Sequence, residues 1–158
     1  MNAAAASPAA AVLPLLSAGA LGLLAGALMA EGALLLPYWR TLSAAMFYEL
    51  HPVYGPKLMR FYAPLTIAAP LLATLAAAAA WLFGGQASLY SGIAAGLAWS
   101  LVAIYFVYFK AANEAFARRM IAPQMLPQAL ARWAAWHRLR TVLCVLAFGF
   151  ALWATAAV

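Results

Sequence analysis

The sequence contains no aspartate, and its acidic residues are three glutamates, Glu31, Glu49 and Glu114. Charged residues make up only 8% of the 158 residues, whereas soluble domains contain about 25%. This shortage excludes a disordered chain, a coiled coil and an ordinary soluble enzyme, because each of these needs a charged surface. Hydrophobic residues reach 69%, so the class that fits is a polytopic membrane protein.

The chain also lacks the short motifs of common catalytic sites. It has no phosphate-binding loop, dinucleotide fingerprint or nucleophile triad. Its one cysteine, Cys144, lies in an apolar run and cannot form an internal disulfide. A net charge of +6 is found in many nucleic-acid-binding proteins. We nevertheless expect no nucleic-acid partner, because the basic residues border apolar runs and form no soluble basic module.

Four apolar runs are long enough to cross a bilayer as helices. They predict one all-α transmembrane domain over residues 1–158, an integral membrane four-helix bundle with spans at roughly 10–37, 62–83, 89–118 and 130–156. The N-terminal residues before the first run contain no Lys or Arg, which a secretory signal needs. We therefore expect the first apolar run to be a retained span.

The segment between the first two spans, residues 40–61, predicts an interfacial helix followed by a turn. The turn is expected at His51-Pro52-Val53-Tyr54-Gly55-Pro56, since a residue before proline is biased toward an extended backbone. Between the third and fourth spans, Pro123 and Pro127 predict a helix break.

Basic residues are absent from the N-terminal tail, from residues 84–88 and from the C-terminal tail. By the positive-inside rule, this distribution predicts both termini on the non-cytoplasmic side of a bacterial inner membrane. All nine basic residues fall on the opposite side: Arg40, Lys57, Arg60, Lys110, Arg118, Arg119, Arg132, Arg138 and Arg140.

Two small-residue motifs allow helix backbones to approach closely. They are Gly22-x-x-x-Gly26 in the first span and Gly92-x-x-x-Gly96 in the third. We expect them to pack spans against each other within the bundle, with homodimerisation as the alternative.

Ionisable groups at membrane depth are costly, so each needs a partner or a function. Glu31 has only apolar neighbours on its own helix face. We expect either a functional carboxylate or a structural ion pair with Arg138 or Arg140. Lys110, Glu114 and Arg118 are spaced as an ordinary helical ion-pair ladder.

Asn113 lies off that ladder, among aromatic residues that include Phe109. Its amide is suited either to cap a neighbouring helix or to contact a ligand. Trp133, His137 and Arg140 share one face at the start of the fourth span. An imidazole between an indole and a guanidinium suits proton transfer, metal ligation or anion binding. The alternative is an interfacial tryptophan with snorkelling arginines.

His51 is expected on the same side of the membrane as His137 and Glu31. Two imidazoles and one carboxylate are enough for an open transition-metal site, so these three are candidate metal ligands. Two histidines in a bundle could also ligate a haem. Three cofactor alternatives therefore follow: none, a single iron or copper ion, or a haem.

The chain resembles the anthrone oxygenase-like family of small four-span membrane proteins. Three features carry the resemblance, and together they extend over nearly the whole chain. They are a glycine-rich first span (Gly19-x-x-Gly22-x-x-x-Gly26), a third span that ends in Phe109-Lys110-Ala111-Ala112-Asn113, and a fourth span that opens with Trp133-x-x-x-His137-x-x-Arg140-Thr141.

The resemblance implies insertion of oxygen from O2 into a lipophilic aromatic anthrone. It implies that His137 is the base and that Arg140 stabilises the developing oxyanion, with Trp133 and Phe109 stacking on a flat substrate. Characterised members of the family form anthraquinones, and most members have no assigned substrate.

Three functions are compatible with these observations. The first is a membrane-embedded oxygenase-like enzyme for a lipophilic aromatic or quinone-like molecule, with a pocket near the cytoplasmic leaflet. Its catalytic residues would be His137, Arg140 and Glu31, and its substrate-binding residues would be Trp133, Asn113, Phe109 and His51. The second is a non-enzymatic metal- or haem-binding membrane protein. The third is an accessory subunit of a larger membrane complex or a homo-oligomer.

Overall fold

The computed structural model describes residues 8–83 and 87–157. Over these ranges the chain is helical and contains no strand. Four helical segments are each long and apolar enough to cross a membrane, namely Val12–Thr41, Ala44–Leu82, Ala87–Ala117 and Pro123–Ala156. The predicted all-α four-helix bundle and its assignment as an integral membrane protein are thereby confirmed. The N-terminal tail and most of the uncharged segment after the second span lie outside the described residues.

Two of the four spans contain a π turn. The first span consists of α1 (Pro8–Ala30), a first π turn (Glu31–Leu35) and α2 (Leu36–Thr41). The second span is the single helix α3 (Ala44–Phe83). The third consists of α4 (Ala87–Ile104), a second π turn (Tyr105–Phe109) and α5 (Lys110–Ala117). The fourth consists of a 3-10 turn (Pro123–Met125) and α6 (Leu126–Ala156).

The predicted turn at residues 51–56 is wrong, because α3 runs through it without interruption. Local proline preference is overridden by burial on one face. Phe47, Tyr48 and His51 are buried, whereas Pro52 and Pro56 lie on the exposed face of the same helix. The interfacial helix expected before that turn is therefore the first part of α3. The predicted break before the fourth span is confirmed, since α5 ends at Ala117 and Pro127 lies in the first turn of α6.

The helices enclose two separate hydrophobic cores. The core toward the chain termini is built from leucines and alanines, including Leu21, Leu24, Ala69, Ala98 and Ala147. The core at the opposite, basic end is aromatic, and its buried members include Trp39, Phe47, Phe109, Phe116 and Trp133. Every span passes from one core to the other. We call the level at which they do so the junction layer, and it contains Glu31, Tyr62, Tyr105, His137 and Arg140.

The length of α3 explains why the basic end has a core of its own. Its 40 residues extend about 60 Å at 1.5 Å per residue, twice the hydrocarbon thickness of about 30 Å. One half of α3, about as long as the hydrocarbon layer is thick, packs in the alanine-rich core. The aromatic core lies in the half that carries the lysines and arginines.

The glycine motifs do not pack the spans as predicted. A Cβ added at Gly26, Gly92 or Gly96 would meet no atom within 4 Å, so these glycines face open space. Of the four motif glycines, Gly22 is the one that lies against another span, since a Cβ added there would be 3.0 Å from the Phe148 ring. Close approach between the spans depends instead on fully buried alanines, including Ala69, Ala73, Ala98 and Ala147. The homodimer alternative stays a prediction.

Candidate functional site: a buried ion pair beside an aromatic cavity

A cavity of about 700 Å³ lies between α3 and the helix formed by α4, the second π turn and α5. Its wall is mostly apolar and aromatic. The aromatic members are Trp39, Tyr62, Trp99, Tyr105, Phe106, Phe109 and Trp133. A few polar side chains also line it, among them Glu31, His51, Lys110, Asn113 and Arg140. A volume of this size and composition is typical of small-molecule sites.

Glu31 and Arg140 form a buried ion pair at the junction layer. Nη2 of Arg140 lies 3.3 Å from Oε2 of Glu31, and both side chains are largely buried. Of the two arginines expected as partners of Glu31, Arg140 is therefore the one used, while Arg138 is exposed. The Tyr62 hydroxyl donates to the carbonyl oxygen of Ala27 at 2.9 Å.

Arg140 is held by two further contacts. Its guanidinium carbon lies 4.3 Å from the centre of the Phe109 ring, a cation–π distance. Its Nη2 also lies 3.1 Å from Nδ1 of His137. Its Nε is buried and has no hydrogen-bond partner among residues 8–83 and 87–157. Since Glu31 belongs to the first π turn and Phe109 to the second, Arg140 joins both turns.

His137 is fully enclosed and does not line the cavity. Its Nε2 lies 2.9 Å from the carbonyl oxygen of Leu28. Because a carbonyl only accepts and a guanidinium only donates, Nε2 carries the proton and Nδ1 accepts from Arg140. The ring also stacks on Trp133, with centroids 5.0 Å apart. Both ring nitrogens of His137 are therefore engaged, one of them by the Arg140 guanidinium. The base role expected for His137 stays a prediction.

Gly32 makes room for that imidazole. A Cβ at this position would lie 3.2 Å from Nε2 of His137 and 3.3 Å from its Cδ2. These distances are tighter than ordinary van der Waals contact. The glycine in the first π turn is therefore part of the site, although the sequence gives no sign of its role beyond its place next to Glu31.

Asn113 faces the cavity and is oriented by Trp133. The indole Nε1 donates to Oδ1 of Asn113 at 3.1 Å. This bond uses only the carbonyl oxygen of the amide, so the two N–H donors of Asn113 do not take part in it. Of the predicted ion-pair ladder, the structure contains the Glu114–Arg118 pair at 2.8 Å. Lys110 instead lines the cavity.

His51 lines the cavity from α3 rather than from a loop. Its ring lies among Trp39, Phe47 and Phe116, with centroid distances of 5.4, 5.2 and 5.5 Å. Only 6% of the residue is exposed. Its buried Nδ1 has no hydrogen-bond partner in the part of the chain that the structure describes.

The predicted metal ligands are not assembled into one site. Across the described ranges, no three His, Cys, Asp or Glu side chains come together as a metal-binding group. His137 reaches Glu31 at 3.7 Å, but its nitrogens are taken by Leu28 and Arg140. His51 lies apart in the aromatic core. The same occupied nitrogens leave His137 without a free lone pair for haem.

Sequence reasoning missed three parts of this site. They are Tyr62, which the sequence predicts only as the start of a span, Trp39, and Gly55, which it predicts as part of a turn. Aromatic residues at a predicted interface were the available signal for the first two. The π turns had no sequence signal except a glutamate and a glycine inside an apolar run.

No family model matches the chain, and no similar protein was found among curated proteins or solved structures.

Proposed function

We propose that this protein is a membrane-embedded oxygenase-like enzyme that acts on a lipophilic aromatic or quinone-like small molecule. The observation that carries the proposal is the aromatic cavity of about 700 Å³ with the buried Glu31–Arg140 pair in its wall. A flat apolar ligand fits such walls by stacking. The charged pair supplies the polar end that orients it.

The resemblance to the anthrone oxygenase-like family supports the same reading. Its fourth-span residues are linked in sequence, since Trp133 stacks on His137 and His137 contacts Arg140. Arg140 in turn pairs with the Glu31 carboxylate. In the reaction that the resemblance implies, a ring CH2 and O2 become a ring C=O and water. The intermediate carries an oxyanion, and Arg140 is the cation placed to stabilise it. Glu31 and His137 hold the guanidinium in position.

We also infer that both termini lie on the non-cytoplasmic side of a bacterial inner membrane. All nine lysines and arginines belong to the junction layer or to the end with the aromatic core. That asymmetry is the pattern of the positive-inside rule. The cavity would then lie near the cytoplasmic leaflet.

The proposal is tested with anthrone as the probe. Purified protein in lipid nanodiscs is incubated with anthrone and O2, and anthraquinone is measured above the protein-free background. We expect Arg140→Met to lose about 10²–10³-fold in turnover, the usual effect of removing an oxyanion-stabilising group.

Arg138→Met is the matched control, because Arg138 lies two residues away on the exposed face of α6. Its turnover should equal that of the unmodified protein. Arg140→Lys keeps a positive charge at this position. It should retain more activity than Arg140→Met if the charge itself supports turnover. Anthraquinone formation at the background rate by the unmodified protein would reject the proposed reaction.

A further inference from the structure

The strongest unexplained feature of the cavity is the imidazole of His51. Only 6% of the residue is exposed, so it is more than nine-tenths buried. Its Nδ1 nevertheless has no hydrogen-bond partner within residues 8–83 and 87–157. Buried polar groups are nearly always hydrogen-bonded, and each exception needs an explanation. His51 is one of the residues that line the cavity, so its unpartnered nitrogen lies next to a space that a ligand can occupy.

The residue that packs beside the His51 ring has no side chain. Gly55 lies one helical turn further along α3 and also lines the cavity. A Cβ at position 55 would lie 3.4 Å from Cε1 and 3.7 Å from Nδ1 of the imidazole. These are ordinary contact distances, so a methyl group would fit there without displacing the ring. It would occupy space beside the imidazole that the glycine leaves to the cavity.

The surroundings of His51 differ from those of His137. Around His51 stand the three aromatic rings of Trp39, Phe47 and Phe116, whereas His137 is bonded at both nitrogens. Of the two histidines in the sequence, His51 alone combines a free ring nitrogen with access to the cavity.

We propose that His51, and not His137, is the hydrogen-bonding and proton-accepting residue of the cavity, and that its partner is an acidic O–H group of the bound aromatic molecule. In the proton transfer the ligand O–H bond breaks and an imidazole N–H bond forms. The electron pair stays on the ligand oxygen, which becomes an oxyanion. This inference rests on the proposed function, because it takes the cavity to be an aromatic small-molecule site.

Two aromatic probes of similar shape test the hydrogen bond. The first is 2-naphthol, which carries an O–H group, and the second is 2-methoxynaphthalene, which lacks it. Equilibrium dialysis against protein in nanodiscs gives both dissociation constants. We expect the unmodified protein to prefer 2-naphthol by about 3- to 10-fold, the range for one net hydrogen bond. In His51→Phe that preference should fall to about 1, because phenylalanine fits among the three rings but cannot accept a hydrogen bond.

Gly55→Ala is the second variant, and it leaves the imidazole in place. It should weaken binding of both probes while raising the melting temperature, since alanine favours a helix interior over glycine. Gly92→Ala is its matched control, because that glycine lies inside α4 with nothing within 4 Å of the added Cβ. It should raise the melting temperature and leave both dissociation constants unchanged.

The outcomes separate this inference from the function on which it rests. If His51→Phe keeps the preference of the unmodified protein for 2-naphthol, the assignment of His51 is overturned and the cavity remains a small-molecule site. If the unmodified protein binds neither probe, the proposed function fails as well. Anthrone turnover provides an independent readout, in which His51→Phe should lose about 10²-fold or more, as expected for a lost general base. Unchanged turnover in that variant would also overturn the assignment.

Discussion

Removing the guanidinium of Arg140 should destabilise the bundle far more than removing any exposed charge. The side chains of Glu31 and Arg140 are only 7% and 14% exposed, so water screens their interaction little. Loss of one partner leaves the other charge buried and uncompensated, which typically costs about 3–5 kcal/mol. We therefore expect Arg140→Met to lower the free energy of unfolding by about 3–5 kcal/mol.

The double variant Glu31→Gln/Arg140→Met should behave differently, because it removes both charges together. Replacement of a whole buried ion pair is often neutral or stabilising. We expect the double variant to be more stable than either single variant. The coupling energy in the resulting double-mutant cycle should be at least about 3 kcal/mol, which is the upper end of values for residues in contact.

Unfolding in mixed micelles with increasing sodium dodecyl sulfate, followed by circular dichroism, supplies the four free energies. Arg138→Met is the control for loss of a charge from α6, and it should change stability by less than about 0.5 kcal/mol because Arg138 is exposed. Effects of the two single substitutions that add within about 0.5 kcal/mol would refute a coupled pair. The described junction layer would then owe its stability to packing alone.

Three further substitutions test other parts of the site by the same unfolding assay. Gly32→Ala should cost about 1–3 kcal/mol, because its Cβ would press on His137; Gly26→Ala, with open space at its Cβ, should instead stabilise by up to about 1 kcal/mol, and equal effects would refute the close approach. His51→Phe should raise stability without ligand by about 1–3 kcal/mol, since it removes an unpaired buried nitrogen; a loss would show that the imidazole is paired. Arg119→Gly should change stability by less than about 1 kcal/mol, because two effects oppose each other. Glycine relieves the positive φ of 55°, but the hydrogen bond from Arg119 to the Tyr48 carbonyl oxygen is lost. A large loss of stability would mean that the hydrogen bond outweighs the backbone strain.

The span pattern and the ion pair could be predicted from the sequence because each follows from a strong free-energy term. An apolar run of 20 or more residues has no low-energy alternative to a membrane helix. A glutamate inside such a run must find a partner, and Arg140 was one of two arginines at the right depth. The shared face of Trp133, His137 and Arg140 follows from helix periodicity alone.

The roles of the two histidines could not be predicted, because they depend on contacts between spans. His137 is bonded through Leu28, which lies 109 positions earlier in the chain. The sequence predicts a turn at His51 because Pro52 follows it, whereas burial of Phe47 and Tyr48 on the same face keeps α3 helical. Local preference is a weak guide where a tertiary core overrides it.

Several locally unfavourable features meet at or beside the junction layer. The two π turns, a form that is rare and often marks functional sites, are joined by Arg140 through Glu31 and Phe109. The same guanidinium keeps an unpartnered buried Nε, and the nearby aromatic core keeps an unpartnered Nδ1 on His51. A core selected for stability alone would replace such groups with apolar side chains, since each unsatisfied polar atom costs about 1–3 kcal/mol. Of the three unpartnered buried side-chain atoms in the described residues, two belong to residues that line this cavity, and the third is Oγ of Ser91 in α4. The two beside the cavity support the proposed function, because a ligand bound there could form the hydrogen bonds that they lack.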